Sequence, residues 1–478
     1  MRIIDKDIAI IGAGPGGYTA AIRAAQLGAK VVLIEKDEVG GNCLNRGCIP
    51  TKTLYRTAEI LNTLGKAEQF GIRVEAYKAD AEIIQRRKEE VVNQLCTGVK
   101  QLLKANSVEL LKGKAKFVDS HRVEVLKADG SQEYVSARNF IIAVGSRPLI
   151  PHIEGAAAKG IWLSDDILNF RSIPKSLTVI GGGVIGMEFA AIFNAFNTKV
   201  TVLEYMPNLL PMIDGELTKR LTPYLKRNGI DISVSSRVTK IDEDQEGFSI
   251  YYEKGKDQKV IKAEKVLISV GRTPVIDGLN LEHIGIKYDK KGIKTDENCR
   301  TNISNIYAIG DVNGKELLAH AASHQGIRTA EHIMEFNSSE ASCKETVIPY
   351  CIFVFPEVAG AGITEEQAKQ QNIKYKVSKF LFGANGKALT LGEPEGIVKV
   401  ISTETGEGRD KTEIIIGVHI MGHHASDLIH EGALAINNKL KVENIINTVH
   451  AHPTLSEAFS EAVMGLKAQA IHMVNKKQ

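Results

Sequence analysis

The stretch GGNCLNRGCIPTK, at residues 40–52, sets two cysteines five positions apart and a lysine four positions after the second one. In a regular helix, Cα atoms five residues apart are about 8.7 Å apart, whereas a disulfide tolerates roughly 4.4 to 6.8 Å. A bond between Cys43 and Cys48 therefore requires a break in helical geometry. Gly47 and Pro50 supply the means, since glycine relaxes the backbone and proline removes a helical donor. The alternative is two buried cysteines that pack as small apolar side chains, and this stretch alone leaves both interpretations open.

Composition narrows the classes of protein to be considered. The chain has 478 residues, 43% of them hydrophobic, and 60 basic against 57 acidic residues give a net charge of +3. This balance offers no long-range attraction to nucleic acid, and no uncharged apolar run reaches the roughly 18 residues of a candidate membrane span. Six cysteines are ordinary usage for an intracellular chain, so we expect a cytoplasmic protein in which a close cysteine pair indicates redox chemistry rather than a structural disulfide.

The cysteines outside this stretch form no motif. There is no CxxC pair and no cluster of histidine and cysteine with the spacing of a zinc site, so we expect no metal. These cysteines are predicted to pack in the interior: Cys96, Cys299, Cys343 and Cys351.

Residues 7–35 read as a strand, the loop GAGPGG, an alanine-rich helix and a second strand. In such a nucleotide-binding unit Gly12 makes the tight turn, Gly14 lets the backbone approach a pyrophosphate, and Gly17 lets helix and strand pack closely. The helix N-terminus offers free N–H groups to the phosphates. Glu35 ends the second strand, where it accepts hydrogen bonds from ribose hydroxyls.

The same pattern recurs 169 residues later, in LTVIGGGVIGMEFAAIFNAFNTKVTVLE. Gly181, Gly183, Gly186 and Glu204 match the glycines and the acid of the first unit. Glu204 would bond a free 2′-hydroxyl and repel a 2′-phosphate, and no arginine follows it closely in YMPNLL, so the second site is predicted to prefer NAD to NADP. Two nucleotides in one chain imply that one is a bound electron acceptor and the other a mobile hydride carrier. A dithiol transfers hydride to nicotinamide poorly, and a flavin between the two makes the transfer possible.

Five motifs stand beside these two units. They are GGNCLNRGCIPTK at residues 40–52, AVGSRP at 143–148, SVGRTP at 269–274, TNISNIYAIGD at 301–311 and HAHPTLSE at 450–457. Over essentially the whole chain, the motifs and units resemble the flavin disulfide oxidoreductases, and most closely the members that oxidise dihydrolipoamide. One departure is Arg46, where many members have valine. We interpret it as a subgroup feature without functional meaning.

The resemblance implies an α/β fold with two Rossmann-like dinucleotide-binding domains plus a C-terminal α+β dimerisation domain. Proline-broken stretches at PLIPHIEG and RTPVID are predicted to be linkers. The expected boundaries are residues 1–150 for the first part of the FAD-binding domain, 151–275 for the NAD-binding domain, 276–346 for the return to the FAD-binding domain, and 347–478 for the interface domain.

The resemblance also gives the cysteines their roles. It implies that Cys43 and Cys48 form a redox disulfide, in which Cys43 faces the substrate and Cys48 faces the flavin. Lys52 lies one helical turn beyond Cys48 if the helix continues, where its charge supports the flavin ring. Glu188, just after the second glycine loop, is the expected counter-charge for Lys52.

A base is expected near the C-terminus. Proline is well suited to the first helical position and disfavours helix before it, so Pro453 predicts a helix start with His452 just outside it and Glu457 in its first turns. Glu457 would then orient the imidazole of His452 and stabilise its protonated form. A histidine before a helix is more often a surface cap, but the resemblance implies that this one is the base, acting across a dimer interface.

Further cofactor contacts come from the motifs alone. Asp311 resembles the aspartate that binds the flavin ribityl chain, Ala319 sits at a helix N-terminus that faces the flavin ring, and Ala115 resembles a backbone contact to the adenine. The remaining positions implied to contact nucleotide are Gly145, Val238 and Gly271.

The activity implied is oxidation of protein-bound dihydrolipoamide to lipoamide through the disulfide and FAD, with hydride passing to NAD⁺. Two other members of the family are alternatives. Glutathione reductases should carry NADP-selecting arginines after Glu204, and mercuric reductases should carry an N-terminal CxxC domain and a C-terminal cysteine pair. This chain has neither feature. The large thioredoxin reductases need a cysteine near the C-terminus, whereas this chain ends VNKKQ. A flavoprotein of a different class, a non-catalytic FAD-binding subunit with a vestigial disulfide, is the other alternative.

The expected partners follow from the same resemblance. No lipoyl domain precedes Asp7, so the lipoyl group is expected on a separate protein. That protein is either a 2-oxoacid dehydrogenase acyltransferase or a glycine-cleavage carrier protein, and the sequence does not choose between them. A homodimer is implied by the shared active site of the family.

Overall fold

The computed structural model describes residues 3–336 and 347–475, so Cys343 lies outside the described residues. The helices are α1 (Pro15–Gln26), α2 (Gly41–Arg46), α3 (Cys48–Gly65), α4 (Ala81–Ala105), α5 (Val184–Ala195), α6 (Gly215–Arg227), α7 (Ala319–Ile333), α8 (Glu365–Gln370), α9 (Gly386–Thr390), α10 (Ala425–Asn437), α11 (Val442–Ile446) and α12 (Glu457–Gly465).

The strands of the first half of the chain are β1 (Ile3–Ile11), β2 (Val31–Glu35), β3 (Glu109–Lys112), β4 (Lys114–Asp119), β5 (Arg122–Leu126), β6 (Gln132–Ile142), β7 (Ser146–Pro148), β8 (Ser176–Ile180), β9 (Lys199–Leu203), β10 (Ile230–Ser233) and β11 (Ser236–Asp244). Those of the second half are β12 (Gly247–Lys254), β13 (Asp257–Ala263), β14 (Lys265–Ile268), β15 (Arg272–Pro274), β16 (Tyr288–Asp289), β17 (Gly292–Ile293), β18 (Ile306–Ala308), β19 (Tyr350–Ile352), β20 (Val358–Gly362), β21 (Lys376–Leu381), β22 (Ile397–Thr405) and β23 (Thr412–Met421).

The described residues fall into two compact units. The first takes its residues from Met1–Pro151, Trp162–Ser172 and Val270–Glu345, and the second from His152–Ile161, Ile173–Ser269 and Thr346–Gln478. The chain therefore leaves each unit and returns to it.

The first unit is built on a seven-stranded sheet in the order β3-β2-β1-β6-β5-β4, with β18 also paired to β6. Strands β3, β2, β1, β6 and β18 run parallel, whereas β4 and β5 join as an antiparallel pair. Strand β2 and the last four residues of β1 are continuously buried. One face of these strands packs on α1 and α4, and the other packs on side chains of β4 and β5. The carboxyl ends of the parallel strands form one edge, at which ligands bind in open α/β sheets.

The second unit contains a smaller parallel sheet in the order β10-β9-β8-β14. Its register repeats that of the first sheet. Ile8 pairs with Val31 between β1 and β2, and Leu177 pairs with Val200 between β8 and β9, at the same displacement of 169 residues. Helices α1 and α5 begin and end at matching positions as well. The repeat seen in the sequence is therefore a repeat of structure.

An antiparallel sheet of three strands, β11-β12-β13, and one of five strands, β19-β20-β23-β22-β21, complete the second unit. Helices α10 and α12 pack on the five-stranded sheet with buried apolar side chains such as Ile429 and Phe459. This is the mixed α and β arrangement expected for the C-terminal part of the chain.

The stretch RTPVID was predicted to be a linker, and this prediction is wrong for its first three residues. Arg272–Pro274 forms β15 and pairs antiparallel with β7, so that the motifs SVGRTP and AVGSRP form one ribbon. Proline is tolerated here because each strand of a two-stranded ribbon has an unpaired edge.

A cluster of buried charges lies in the second unit. Lys399 on β22 is 1% exposed and bonds the fully buried Asp214 at 2.8 and 2.9 Å and Glu365 at 2.7 Å. Burial by itself raises the pKa of Glu365, but hydrogen bonds from Lys369 and Lys399 outweigh it and lower the pKa to about 2. The carboxylate form of Glu365 is therefore strongly preferred in the folded chain.

This preference makes part of the folding stability depend on pH. Because the folded pKa of Glu365 lies below the value of 4.5 in an unfolded chain, the stabilisation is complete above pH 4.5 and is lost as the pH falls towards 2. We expect Glu365→Gln to flatten the decline of the free energy of unfolding across this window, measured by chemical denaturation at a series of pH values. The exposed Glu407→Gln is the control and should keep the slope of the wild type, and an equal slope in Glu365→Gln would contradict the prediction.

Candidate redox and dinucleotide sites

The two motif cysteines are joined by a disulfide at a break between two helices. Helix α2 ends at Arg46, Gly47 has φ −143° and ψ −108°, and α3 begins at Cys48. The Cα atoms of Cys43 and Cys48 are 4.7 Å apart, a separation that an unbroken helix does not allow. The predicted departure from regular helical geometry is confirmed.

The disulfide-bearing helix begins against the first glycine loop. Gly40 and Gly41 both have positive φ, at +98° and +56°, and the Gly40 N–H donates to the Ala13 carbonyl at 2.8 Å. A Cβ on Gly41 would lie 2.6 Å from the Cα of Gly14, so this close approach requires glycine at position 41. The fold thus places the redox pair beside a nucleotide-binding loop.

One polar side chain that the sequence reasoning missed, Asn45, holds the start of α2, and it contacts Cys96, which was predicted to pack in the interior. The Asn45 side-chain amide donates to the carbonyls of Val39 and Gly41 at 3.1 and 2.9 Å, and its oxygen lies 3.3 Å from the Cys96 sulfur on α4. Burial raises the pKa of the Cys96 thiol, so it remains a neutral donor to Asn45. The presence of this asparagine within GGNCLNRGCIPTK is the sequence feature from which its structural role could have been predicted.

Two cations lie close to the disulfide in the sequence, one between its cysteines and one after them. Lys52 lies on α3, which continues without a break to Gly65, so it is one turn beyond Cys48 as expected. Arg46 forms an ion pair with Asp37, and the hydrogen bond to Asp37 raises the pKa of the Arg46 guanidinium. The arginine is therefore directed towards the segment that follows β2.

The first glycine loop has the geometry that the motif predicts. Gly12 has φ +102°, and a Cβ there would lie 2.4 Å from the Ala143 carbonyl oxygen at the end of β6. A Cβ on Gly17 would lie 1.8 Å from the Gly12 oxygen, so helix α1 packs against the turn. The Glu35 carboxylate accepts from the N–H of Ala13 at 2.6 Å. It also accepts from the backbone N–H two residues beyond Glu35, at 2.8 Å.

The second loop repeats these contacts. Gly181 has φ +110°, and a Cβ on Gly186 would lie 2.1 Å from the Gly181 oxygen. The Glu204 carboxylate accepts from the N–H of Gly182 and from that of Met206, the latter at 2.6 Å. A Cβ on Gly183 would meet no described atom within 4 Å, so the loop is open there.

Both loops therefore fit a dinucleotide. Each lacks side chains where a pyrophosphate would approach, and each leads directly into a helix N-terminus. The glutamate at the carboxyl end of the second strand of each unit keeps acceptor capacity, since a carboxylate has about four lone-pair sites.

Glu204 carries a prediction about nucleotide choice. Charge-assisted hydrogen bonds contribute about 1.5–3 kcal/mol, so we expect Glu204→Gln to raise the KM for NAD⁺ about 10- to 100-fold and to narrow the preference over NADP⁺. Steady-state kinetics with both nucleotides measures the effect, with thermal melting to confirm the fold. Asp231→Asn, an exposed carboxylate on the adjacent β10, is the control. An unchanged KM for NAD⁺ would assign ribose recognition to other residues.

Asp311 lies shortly after β18, in a short 3-10 helix. It accepts a hydrogen bond from the Ser146 hydroxyl, and Arg272 donates to the oxygen of that hydroxyl at 2.7 Å and to the Ser146 carbonyl at 2.9 Å. Burial lowers the pKa of the Arg272 guanidinium. The buried Gln325 accepts from the Gly310 N–H at 2.8 Å. Ser146, Arg272 and Gln325 were not predicted, although the first two lie inside quoted motifs.

The other predicted cofactor positions are distributed over both units. Ala319 is the first residue of α7. Ala115 is buried on β4, and Gly145 and Gly271, with φ +72° and +133°, flank the ribbon of β7 and β15. Val238 is buried on β11 at a register irregularity.

Glu188 lies on α5, five residues after Gly183, and is 4% exposed. One of its carboxylate oxygens accepts from the Phe353 backbone N–H at 3.1 Å. A buried carboxylate held in this way remains a candidate counter-charge in the second unit.

The histidine predicted to be the base meets its glutamate. His452 Nδ1 lies 2.8 Å from Glu457 Oε1, and Glu457 Oε2 accepts from the Thr454 N–H at 2.8 Å. Burial alone raises the pKa of Glu457, but the bonds from Thr454 and His452 outweigh it and hold the pKa below its ordinary value. The His452 side chain is 78% exposed in the single chain, so its imidazole is accessible.

The predicted start of this helix is wrong. Helix α12 begins at Glu457 and not at Pro453. The Glu457 side chain bonds the Thr454 N–H, which closes a turn ahead of the helix and takes Pro453 out of it.

Two further imidazole–carboxylate pairs that the sequence reasoning missed surround this one. His450 lies 2.9 Å from Glu431 on α10, and His472 lies 2.8 Å from Glu461, one turn after Glu457 on α12. Since contacts across such separations leave no local pattern, no sequence signal predicts them.

A disulfide at a helix break, beside one of two dinucleotide loops, defines an oxidoreductase that exchanges electrons between thiols and nucleotides. The model of the pyridine nucleotide-disulphide oxidoreductases matches residues 6–326, and that of their dimerisation domain matches residues 348–463. The chain belongs to the pyridine nucleotide-disulphide oxidoreductase family, and the predicted family and fold class are confirmed. It is accordingly an enzyme with FAD and a pyridine nucleotide as cofactors, and it carries the dimerisation domain of its family.

Curated relatives extend over nearly the whole chain. A dihydrolipoyl dehydrogenase of Bacillus subtilis (strain 168) is 39% identical, over 98% of this chain and 99% of the relative. That of Geobacillus stearothermophilus is 40% identical, over 99% and 98%. A solved Cu(II) complex of the HOCl-induced flavoprotein disulfide reductase RclA from Escherichia coli superposes with a TM-score of 0.84 at 26% identity, covering 97% of this chain and 99% of that one.

Two features are absent from the part of the chain that the structure describes. Within residues 3–336 and 347–475, no helix is both long and apolar enough to cross a membrane. The same residues contain no group of three or more histidine, cysteine, aspartate or glutamate side chains placed to hold a metal ion.

Proposed function

We propose that this protein oxidises protein-bound dihydrolipoamide to lipoamide and reduces NAD⁺. The observation that carries the proposal is the Cys43–Cys48 disulfide at the helix break beside the first glycine loop. Relatives that are about 40% identical over nearly their whole length and are named dihydrolipoyl dehydrogenase support the choice of substrate.

The chain's own residues divide the thiol chemistry. His452, held through Nδ1 by Glu457, takes a proton from a substrate thiol, since the thiolate is the nucleophile in disulfide exchange. The substrate thiolate attacks the Cys43 sulfur, the bond to Cys48 breaks, and Cys48 leaves as a thiolate. The second substrate thiol loses its proton and attacks the substrate sulfur of the mixed disulfide. Cys43 is released, lipoamide forms, and the enzyme holds both electrons as a dithiol.

The remaining roles concern the cofactors. Gly12, Gly14, Gly17 and Glu35 would hold FAD, and Asp311 would bind its ribityl chain. When bound, FAD accepts the two electrons of the dithiol and supplies hydride to NAD⁺. The lysine one turn after Cys48 provides a positive charge next to the thiolate that this cysteine becomes.

The second nucleotide belongs to the second unit. Gly181, Gly183, Gly186 and Glu204 would hold NAD. Glu188, buried on α5, is the proposed counter-charge for the lysine after Cys48. The remaining proposed cofactor contacts are Ala115, Gly145, Val238, Gly271 and Ala319.

A direct assay tests the proposal. The holoenzyme is given dihydrolipoamide and NAD⁺, with NADP⁺ as the alternative acceptor, and NADH formation is followed by absorbance. We expect NAD-dependent turnover, and parallel assays with glutathione disulfide or Hg²⁺ and NADPH should show little. Bound FAD without dihydrolipoamide oxidation would instead support a non-catalytic FAD-binding subunit.

We further propose that the protein acts as a homodimer, with His452 of one subunit serving the disulfide of the other. The physiological substrate is proposed to be a lipoylated carrier, either a 2-oxoacid dehydrogenase acyltransferase or a glycine-cleavage carrier protein, encountered in the cytoplasm. Comparing turnover and affinity across purified lipoylated carriers would identify it.

A further inference from the structure

The acid Glu204 of the second dinucleotide loop is followed by a segment, residues 205–214, that lies against that loop. The Leu210 N–H donates to the Gly182 carbonyl at 3.0 Å. A Cβ on Gly182 would lie 2.5 Å from the Leu209 side chain, so the two segments are in direct contact. Because ligands of parallel sheets bind beyond the carboxyl ends of the strands, this segment is part of the wall of the nucleotide site.

The segment holds one unfavourable backbone conformation. Leu210 has φ +48°, in the left-handed region that branched residues seldom occupy. Such a conformation is unfavourable and persists only where its surroundings force it. Leu210 is fully buried and its carbonyl accepts from the Ile213 N–H at 3.1 Å, so the turn ends next to a residue that can anchor the segment.

Asp214 provides that anchor. It is fully buried, caps the N-terminus of α6 by accepting from the Glu216 N–H at 3.1 Å, and receives Lys399 on both carboxylate oxygens. The Glu365 N–H adds a fourth hydrogen bond at 3.1 Å. Lys399 belongs to β22, in the stretch that matches the family's dimerisation domain.

The strand that carries Lys399 pairs with a strand that holds a further set of buried polar groups. Its cross-strand neighbour on β23 is His419, which is fully buried and whose ring nitrogens face the Ile363 carbonyl at 2.9 Å and the Tyr350 hydroxyl at 3.3 Å. A buried ion pair gives little net stability over an apolar replacement but fixes one geometry, because every other arrangement leaves a charge unpaired. Lys399 therefore has its position set by the paired strands β22 and β23 and by its buried carboxylate partners.

We propose that Asp214 and Lys399 are positioning residues for the second dinucleotide site, tying its wall segment to the sheet of the dimerisation domain so that NAD affinity depends on a side chain of that domain. The proposal rests on the assignment of the second loop to NAD. It does not require either residue to touch the nucleotide.

The test measures NADH binding to the full-length holoenzyme, by titration calorimetry or fluorescence, together with kinetics. We expect Asp214→Asn to raise the Kd for NADH and the KM for NAD⁺ about five- to tenfold, a size typical of coupling through a packed network. The kcat and the KM for dihydrolipoamide should stay within about twofold. Lys399→Arg, which keeps the charge and alters the geometry, should shift NADH binding in the same direction and is available if Asp214→Asn does not fold.

The matched control is Glu413→Gln. Glu413 is also a buried carboxylate of this sheet, 4% exposed and paired with lysines at 3.0 and 3.3 Å, but it lies on β23 away from the wall segment. It should lower the melting temperature and leave the Kd for NADH unchanged. Unchanged NADH binding in Asp214→Asn and Lys399→Arg would overturn the proposal and assign the pair to stability. Absence of NADH binding by the wild type would overturn the NAD assignment itself.

Discussion

Replacing Cys43 with serine is expected to lower dihydrolipoamide oxidation more than about 1000-fold, as loss of an essential nucleophile does. A serine hydroxyl forms no disulfide with Cys48, so the substrate thiolate has no sulfur to attack. FAD binding should persist, because Cys43 lies on α2 and the glycine loop keeps its own contacts. The remaining Cys48 is then free to ionise.

Two measurements check this result. Steady-state turnover gives the loss, and the visible spectrum of the purified variant shows whether FAD is retained and whether a thiolate interacts with it. Cys351→Ser is the matched control, since Cys351 is half-buried on β19 and is not disulfide-bonded. Turnover of Cys43→Ser at the wild-type rate would rule out the disulfide as the redox centre.

His452→Gln is expected to reduce turnover by about 100-fold or more, the usual loss when a general base is removed. Glutamine keeps a polar group near Glu457 but does not accept the thiol proton. The rise in rate with pH that reports deprotonation of the base should therefore be absent from the variant's profile.

His424→Gln is the control for this second experiment. His424 is an exposed histidine of the same unit that also faces a carboxylate, Asp427, at 3.5 Å, and its loss should leave turnover and the pH profile unchanged. A wild-type pH profile in His452→Gln would assign the base to another group.

Much of the fold is readable in the sequence because its signals are local. Glycine spacing, apolar strands and a terminal acid lie within about 30 residues of each other, and they predict the two βαβ units that the structure shows with matching register and with helices Pro15–Gln26 and Val184–Ala195 at matching positions. The helix break at Gly47 was predictable for the same reason. The failed prediction at Pro453 shows that even local signals can compete, because the Glu457 side chain bonds the Thr454 N–H three residues before it and the helix begins at Glu457.

The sequence by itself thus determined the family, the two nucleotide units and the redox pair. Only the tertiary structure shows which side chains that are distant in sequence come into contact. Ser146 meets an aspartate 165 residues away, and Lys399 meets one 185 residues away. A lysine on a strand is ordinarily predicted to face solvent, and its burial is possible only because the fold brings three carboxylates to it. No local pattern encodes such a meeting, since the free energy of an ion pair depends on distance and burial, which exist only after folding.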